Sequence, residues 1–142
     1  MEPVPSTRIS TVNALLDGYG SLSVTQLLKH LAADFRHRVL PHSLQMEECD
    51  KESFAKKAEG IFEIFAEFRM IPQSIAEDVK RGMVIVHAYM DGTFKIGSGK
   101  WKNECVMIIQ LSPDGTKVLE IQEFVDSAKA LEMRKKHAPK NF

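Results

Sequence analysis

Three consecutive segments with the pattern of β-strands each carry one polar side chain in an otherwise apolar row. The segments read MVIVHAYMD, GKWKNECVMIIQL and KVLEIQEFVD. Because successive strand residues point to opposite faces, His87, Asn103 and Glu123 each share a face with apolar residues of their own strand. An imidazole and a carboxylate can pass protons in either direction, and an amide can stabilise an oxyanion. The pattern therefore predicts a site for acid/base chemistry.

Each of these residues also has a purely structural interpretation. A lone buried histidine is more often a hydrogen-bonded core residue than a catalyst. Glu123 could form an ion pair with Arg38, and Asn103 could satisfy a turn. An imidazole, a carboxylate and an amide on adjacent strands nevertheless make a site as plausible as the structural alternative.

The segment FRHRVLPHSL adds basic side chains near the expected opening of the sheet. Arg38 offers a rigid fork of donors that suits a carboxylate or enolate oxygen. His42 directly follows Pro41, whose ring restricts the approach of the chain. The alternative interpretation of this segment is an exposed basic turn.

Composition argues against several other functions. The 142 residues fit one globular domain, and 19 basic against 19 acidic residues give no overall field that would attract nucleic acid. Cys49 and Cys105 match no zinc-ligand spacing and are expected to be reduced thiols. No GxSxG, Walker A, GxGxxG or HExxH motif is present, so we expect neither a metal nor a bound cofactor. Without a signal peptide or an apolar stretch of ~20 residues, we expect a cytoplasmic protein with no membrane contact.

The elements that must position these residues follow a helix-then-sheet order. A flexible lead-in (1–9) should precede a domain over 10–138 and a tail over 139–142. The expected elements are helices from Ser10, over Ser23–Leu31 and from Asp50, a short strand in FRHRVLP, strands over 68–78, 83–91, 99–111 and 117–126, and a final helix capped by Asp126 or Ser127. This order predicts an α+β fold in which N-terminal helices pack on a curved antiparallel sheet, with a C-terminal helix after it. The concave face and the helices would enclose a pocket, and the outer face would be free for a partner.

Four motifs resemble a known family: FRHRVLPHSL, VIVHAYMDG, GKWKNECVMIIQL and EFVDS. Together they are similar to the SnoaL-like members of the NTF2-like superfamily, and more narrowly to small fungal proteins encoded with polyketide and meroterpenoid pathways. The resemblance runs from about Val12 to Ala130 and implies a cone-shaped fold with a deep apolar pocket. It also implies cofactor-free acid/base cyclisation, isomerisation or dehydration of a polycyclic, often phenolic, intermediate. At Cys105 the sequence departs from the aromatic residue, often Tyr, that the family pattern leads us to expect.

The resulting prediction is a cofactor-free isomerase or cyclase acting on a polyketide or meroterpenoid intermediate. The resemblance assigns catalysis to His87, Glu123, Arg38 and Asn103. The expected substrate-binding residues are His42, Trp101, Tyr89, Cys105, Met107, Phe62 and Phe65. We also expect a homodimer formed through outer-face residues, namely Val106, Ile108, Val118 and Phe124. The alternatives are a dehydratase with the same groups and a non-catalytic NTF2-like binding module.

Overall fold

The computed structural model describes residues 4–97 and 99–137. Over this range the helices are α1 (Thr7–Ser21), α2 (Val24–Leu28), α3 (Lys51–Ile64) and α4 (Ser127–His137). The strands are β1 (Leu31–Leu40), β2 (Cys49–Asp50), β3 (Phe65–Asp78), β4 (Met83–Phe94), β5 (Lys100–Leu111) and β6 (Val118–Val125). A single 3-10 turn, His42–Leu44, follows β1. The predicted tail, 139–142, and the predicted end of the domain at residue 138 lie outside the described residues.

Side-chain caps determine where the helices begin. The predicted caps Ser23, Asp50 and Asp126 each accept a hydrogen bond from a backbone N–H in the first turn of their helix. α1 begins before the predicted Ser10, because Ser6 Oγ already accepts the backbone N–H of Ile9 at 3.1 Å. Short polar side chains therefore define these helix starts, as expected, and α1 begins at Thr7 instead of Ser10.

The strands form one curved mixed sheet in the order β2-β1-β6-β5-β4-β3. From β3 to β6 the chain makes the antiparallel meander that its turn residues predict. β1 instead pairs with β6 in parallel, with His37 opposite Ile121 and Val39 opposite Glu123. The prediction of a purely antiparallel sheet is therefore wrong at the β1–β6 pair. Turn residues specify hairpins between consecutive strands, but they do not specify the partner of a strand from the other end of the chain.

The concave face of the sheet packs against α1, α2 and α3 and forms most of the core. The largest fully buried side chains include Leu15, Leu27, Phe35, Phe65, Met107, Ile109 and Ile121. Val118, predicted on the outer face, is fully buried because a register shift lies between Gln110 and Leu111, and Leu111 pairs with Val118. The opposite face exposes an apolar set consisting of Ile85, Tyr89, Val106 and Phe124. Among the described helices, none has the length and apolar character needed to cross a bilayer.

One glycine allows an aromatic ring to lie directly on the sheet. A Cβ atom added at Gly92 would overlap Cε1 of the Phe65 ring and lie 2.8 Å from its Cδ1. The Phe65 ring stacks on the Phe94 ring with their centroids 4.9 Å apart, and its centroid lies 5.9 Å from that of the Trp101 ring. Gly92 therefore sets how closely this aromatic cluster approaches the strand beneath it.

Candidate active site

A cavity of about 160 Å³ opens between the concave face of the sheet and the helices α1, α3 and α4. Its walls are mainly apolar, and include Val39, Leu44, Phe54, Ile61, Phe62, Phe65, Phe68, Met70, Met90, Val125 and Met133. The polar side chains that line it are Tyr19, His37, Glu47, Lys57, Asn103, Glu123 and Arg134. A small number of polar groups in an apolar cleft is the usual composition of a small-molecule site.

The most distinctive pair in this cavity is His37 on β1 with Glu123 on β6. The parallel pairing of these strands brings His37 Nε2 within 3.6 Å of Glu123 Oε1, slightly longer than a hydrogen bond. Each side chain is only 12% exposed. On the other side of the ring, His37 Nδ1 lies 4.0 Å from Cys49 Sγ, and the ring packs against Phe54 at 4.8 Å. The imidazole is thus held between a thiol and a carboxylate in a largely apolar environment.

This environment determines the charge of His37. Burial disfavours the imidazolium and lowers its pKa, but the interactions with Cys49 and with the Glu123 carboxylate outweigh burial and raise the pKa of His37 to about 9. At neutral pH the pair is therefore an imidazolium next to a carboxylate. One member can donate a proton and the other can accept one.

Tyr19 on α1 contributes a buried hydroxyl to the same cavity. Its oxygen has no hydrogen-bond partner among the described residues. Burial and then the nearby Glu123 carboxylate, with smaller contributions from Cys105 and Cys49, raise the pKa of Tyr19. The phenol therefore stays protonated and is a free donor for an acceptor atom of a ligand.

Two further polar residues lie along β5. Asn103 is buried, and its Oδ1 accepts the backbone N–H of Glu104 at 2.8 Å. This bond turns the side chain partly back onto its own strand, the local satisfaction that the structural interpretation allowed. Trp101, two residues earlier on the same face, also lines the cavity, and its indole nitrogen is buried without a hydrogen-bond partner in the described structure.

His87 does not line the cavity, and that prediction is wrong. The buried row of β4 is formed by the other alternation, Val84, Val86, Ala88 and Met90, so His87 lies on the outer face. There its Nε2 is 2.6 Å from Glu104 Oε2, and its ring contacts Tyr89 edge-on. Tyr89, also predicted to bind substrate, is 45% exposed on the same outer face. Alternation separated the two faces correctly, but both rows of β4 are mostly apolar and the wrong one was assigned to the pocket.

Arg38 and His42 also lie outside the cavity. Arg38 alternates with the inward-facing His37, and its guanidinium pairs with Glu48 near the surface rather than with Glu123. His42 is exposed in the 3-10 turn after β1. The alternative interpretation, an exposed basic turn, holds only for His42, because Arg38 belongs to the paired strand β1, although its side chain is exposed.

The other predicted substrate-binding residues divide into two groups. Phe62, Phe65 and Trp101 line the cavity. Cys105 and Met107 are on the concave face but are almost completely buried beneath the lining, so they are core residues in this structure. Burial, followed by the charges of nearby glutamates, raises the pKa of Cys105, so it stays a thiol.

His37 and Tyr19, whose side chains matter most for the chemistry of the cavity, were not among the predicted site residues. A signal for His37 was present, because alternation in FRHRVLP puts it on one face with Phe35 and Val39, away from the two arginines. For Tyr19 the only signal was an aromatic residue between two glycines in a helix. In the described parts of the chain, no cluster of His, Cys, Asp and Glu has the arrangement needed to hold a metal ion.

Comparisons with known proteins give both curated relatives and solved structures. No family model matches the chain. The monooxygenase nsrS of Aspergillus novofumigatus is 28% identical over 128 residues, which cover 89% of this chain and 85% of that protein. AusH from Aspergillus nidulans is 22% identical, with a TM-score of 0.80 over 89% of this chain and 88% of its own. BvnE pinacolase from Penicillium brevicompactum is 15% identical, with a TM-score of 0.85 over 91% and 89% of the two chains.

Similar structures also include a protein described as a SnoaL-like polyketide cyclase from Jannaschia and an NTF2-like protein from Burkholderia pseudomallei. At these identities the solved structures establish the fold rather than the reaction. The helices, the curved sheet and the enclosed cavity all match the expectation from the sequence motifs. The chain therefore has the NTF2-like fold of the SnoaL-like proteins, as those motifs predicted.

Proposed function

We propose that this protein is an acid/base isomerase or cyclase that acts on an oxygenated multi-ring intermediate of the polyketide or meroterpenoid type. The observation that supports this most directly is the buried pair of His37 and Glu123, 3.6 Å apart in an apolar cavity. In this proposal, His37 replaces His87 as the imidazole that exchanges protons together with Glu123. It combines a proton donor and a proton acceptor within reach of one bound molecule.

In the proposed reaction, Glu123 accepts a proton from a carbon atom next to a ring carbonyl. The electron pair of the broken C–H bond moves to the carbonyl oxygen, and the Tyr19 hydroxyl donates a hydrogen bond to the enolate that forms. His37 then protonates a different carbon, and the proton held by Glu123 returns to His37, so the product is an isomer of the substrate. In a cyclisation, the enolate carbon attacks the carbon of a second carbonyl group of the same molecule. The π electrons of that C=O bond move to its oxygen, and His37 protonates the alkoxide that forms.

The apolar walls support this chemistry in two ways. They bind a largely hydrophobic skeleton through its surface, and they exclude water from the enolate. In such a low-dielectric site a hydrogen bond to developing charge is stronger than in water, and removing one such donor typically costs ~100-fold or more in rate. Tyr19 thereby fills the place for which the sequence suggested Arg38, while Asn103 remains a second candidate donor.

A monooxygenase is the second candidate, because the curated relative nsrS carries that name. The same enolate can be the electron donor in that reaction. Dioxygen would convert a ring CH₂ into C=O, with the second oxygen atom leaving as water, and the substrate would supply all four electrons. Mass separates the outcomes: isomerisation conserves it, this oxidation adds one oxygen and removes two hydrogens, and the dehydratase alternative loses ~18 Da through acid-catalysed loss of a hydroxyl.

The test replaces His37 with Gln and Glu123 with Gln in the organism that makes the protein and compares its metabolites by mass spectrometry. We expect each variant to accumulate a precursor of the same mass as the missing product. His87→Gln is the matched control, since it removes an imidazole that lies on the outer face. If both cavity variants left the metabolites unchanged while the proteins stayed folded, the enzyme proposal would fail and a binding module would replace it.

We further propose that two copies of the chain associate through the outer sheet face. Ile85, Tyr89, Val106 and Phe124 are between 38% and 47% exposed there and lie on adjacent strands. An exposed apolar set of this kind is costly in water and suits a symmetric contact between two copies of one surface.

A further inference from the structure

Trp101, a residue of the cavity wall away from the reacting pair, carries an unsatisfied hydrogen-bond donor. Its indole nitrogen is buried, yet no acceptor lies within hydrogen-bonding distance among the described residues. A buried donor without a partner typically costs about 1–3 kcal/mol, so such groups are uncommon unless a ligand or water satisfies them. The unpaired indole N–H of Trp101 therefore indicates a bound acceptor more clearly than the apolar surface of its ring does.

The surroundings of Trp101 do not supply the missing acceptor. Its ring lies against Phe65 at 5.9 Å and Phe68 at 6.4 Å, and both neighbours are apolar. Asn103, on the same face of β5, uses its Oδ1 to accept the backbone N–H of Glu104. No side chain described near the ring therefore supplies the acceptor for the indole N–H.

Trp101 also lies at a distance from the acid/base pair. Glu123 is paired across the sheet with Met107, and Trp101 is six residues before Met107 on β5. The cavity therefore has a reactive end, with His37, Glu123 and the free Tyr19 hydroxyl, and an aromatic end, with Trp101. Each end presents a buried donor that has no acceptor within the described chain.

We propose that the substrate is a rigid multi-ring ketone with a second oxygen acceptor, and that the Trp101 indole N–H binds this second, non-reacting oxygen. The reacting carbonyl accepts from Tyr19, and a remote keto, hydroxyl or methoxy oxygen accepts from Trp101. Trp101 is then a specificity-determining residue that selects for oxygenation of the ring distant from the reaction. The contact with the carbonyl rests on the proposed function, whereas the contact with Trp101 requires only binding.

Two pairs of probes test this proposal by calorimetry. One pair is 1-tetralone and 6-hydroxy-1-tetralone, and the other is flavone and 4′-hydroxyflavone. Within each pair the second compound adds one hydroxyl group to a ring ketone. The distance from the hydroxyl to the carbonyl is short in the tetralone and long in the flavone. We expect at least one hydroxylated probe to bind roughly 3- to 10-fold more tightly than its parent, the usual effect of one hydrogen bond. Trp101→Phe, which retains an aromatic ring but removes the N–H, should abolish that preference, measured in each protein as the ratio of the affinities of the hydroxylated probe and its parent.

Phe68→Leu is the matched control, because it perturbs the same aromatic cluster without removing a donor, and the preference for the hydroxylated probe should survive it. Since Trp101 is the only tryptophan of the chain, its fluorescence in the wild-type protein reports independently whether a probe occupies this end. The proposal is overturned if no probe binds, if the remote hydroxyl gives no gain, or if Trp101→Phe preserves the gain. None of these results depends on turnover, so they are separate from the failure of the enzyme proposal, which the His37 and Glu123 variants decide.

Discussion

Replacing Glu123 with Gln should produce a stability loss that depends on pH in a specific direction. The pKa of His37 rises from an ordinary 6.5 to about 9 in the folded protein. At about 1.4 kcal/mol per pH unit, this difference corresponds to a contribution of about 3 kcal/mol to the free energy of unfolding. Because the folded pKa is the higher one, the contribution is fully present below pH 6.5 and is lost as the pH rises to about 9.

Without the carboxylate, burial opposes the charged imidazole with only Cys49 left to favour it, so the pKa of His37 falls. Glu123→Gln should therefore be destabilised strongly at pH 6, by up to about 3 kcal/mol, and much less at pH 9.5. Urea unfolding of both proteins at pH 6, 7, 8 and 9.5 measures the difference in the free energy of unfolding at each pH. Histidine NMR titration of both proteins measures the pKa directly.

Glu104→Gln is the control for this experiment, because it removes the carboxylate from the other histidine pair. The His87–Glu104 pair is on the surface, with the Glu104 side chain 55% exposed, so its removal should cost less than about 1 kcal/mol. A wild-type His37 that titrates at or below pH 6.5, or a Glu123→Gln deficit that does not shrink as the pH rises, would refute the assignment of a charged pair in the cavity.

Three other substitutions test separate features of the structure. Tyr19→Phe removes an unsatisfied buried hydroxyl, so thermal unfolding should show a protein stabilised by about 1 kcal/mol, while turnover falls; lower stability would mean that the hydroxyl has a structural partner. Gly92→Ala should destabilise the protein by about 1–3 kcal/mol because the new methyl group meets the Phe65 ring, and Phe65→Leu should restore part of that loss; an unchanged melting temperature for Gly92→Ala would contradict the close approach. In light scattering, Phe124→Lys should convert the proposed dimer into a monomer. Val79→Lys, at a turn position that is 67% exposed, is the control and should leave the dimer intact. A wild-type protein that is monomeric at micromolar concentration would rule out the dimer.

The parts of the fold that depend on nearby residues could be predicted from the sequence. Ser23 and Asp50 cap their helices as expected, since a cap requires only a polar side chain a few residues from the N–H groups it satisfies. The strands β3 to β6 were recognisable from alternation and from the turns that join them. The parallel pairing of β1 with β6 could not be predicted in this way, because the contact joins distant parts of the chain.

For the site, the sequence indicated the buried side of β5 and β6, but neither the buried side of β4 nor the strand that lies beside β1. Asn103 and Glu123 lie on the cavity side of their strands, where the apolar rows around them indicated a buried face. His87 does not, because both rows of β4 carry apolar residues and the sequence does not say which row meets the helices. Alternation in the sequence places His37 on one face with Phe35 and Val39, but only the pairing of β1 with β6 identifies it as the partner of Glu123.

The pairing of β1 with β6 also has a consequence during synthesis of the protein. His37 in β1 is translated well before Glu123 in β6, so the two residues cannot meet until β6 has been translated. Until then the cavity lacks the strand that carries the carboxylate, and α4, which completes its wall, follows even later. In the proposed reaction, a chain that stops before β6 lacks the carboxylate that accepts the proton, so the acid/base pair forms only when the sheet is complete.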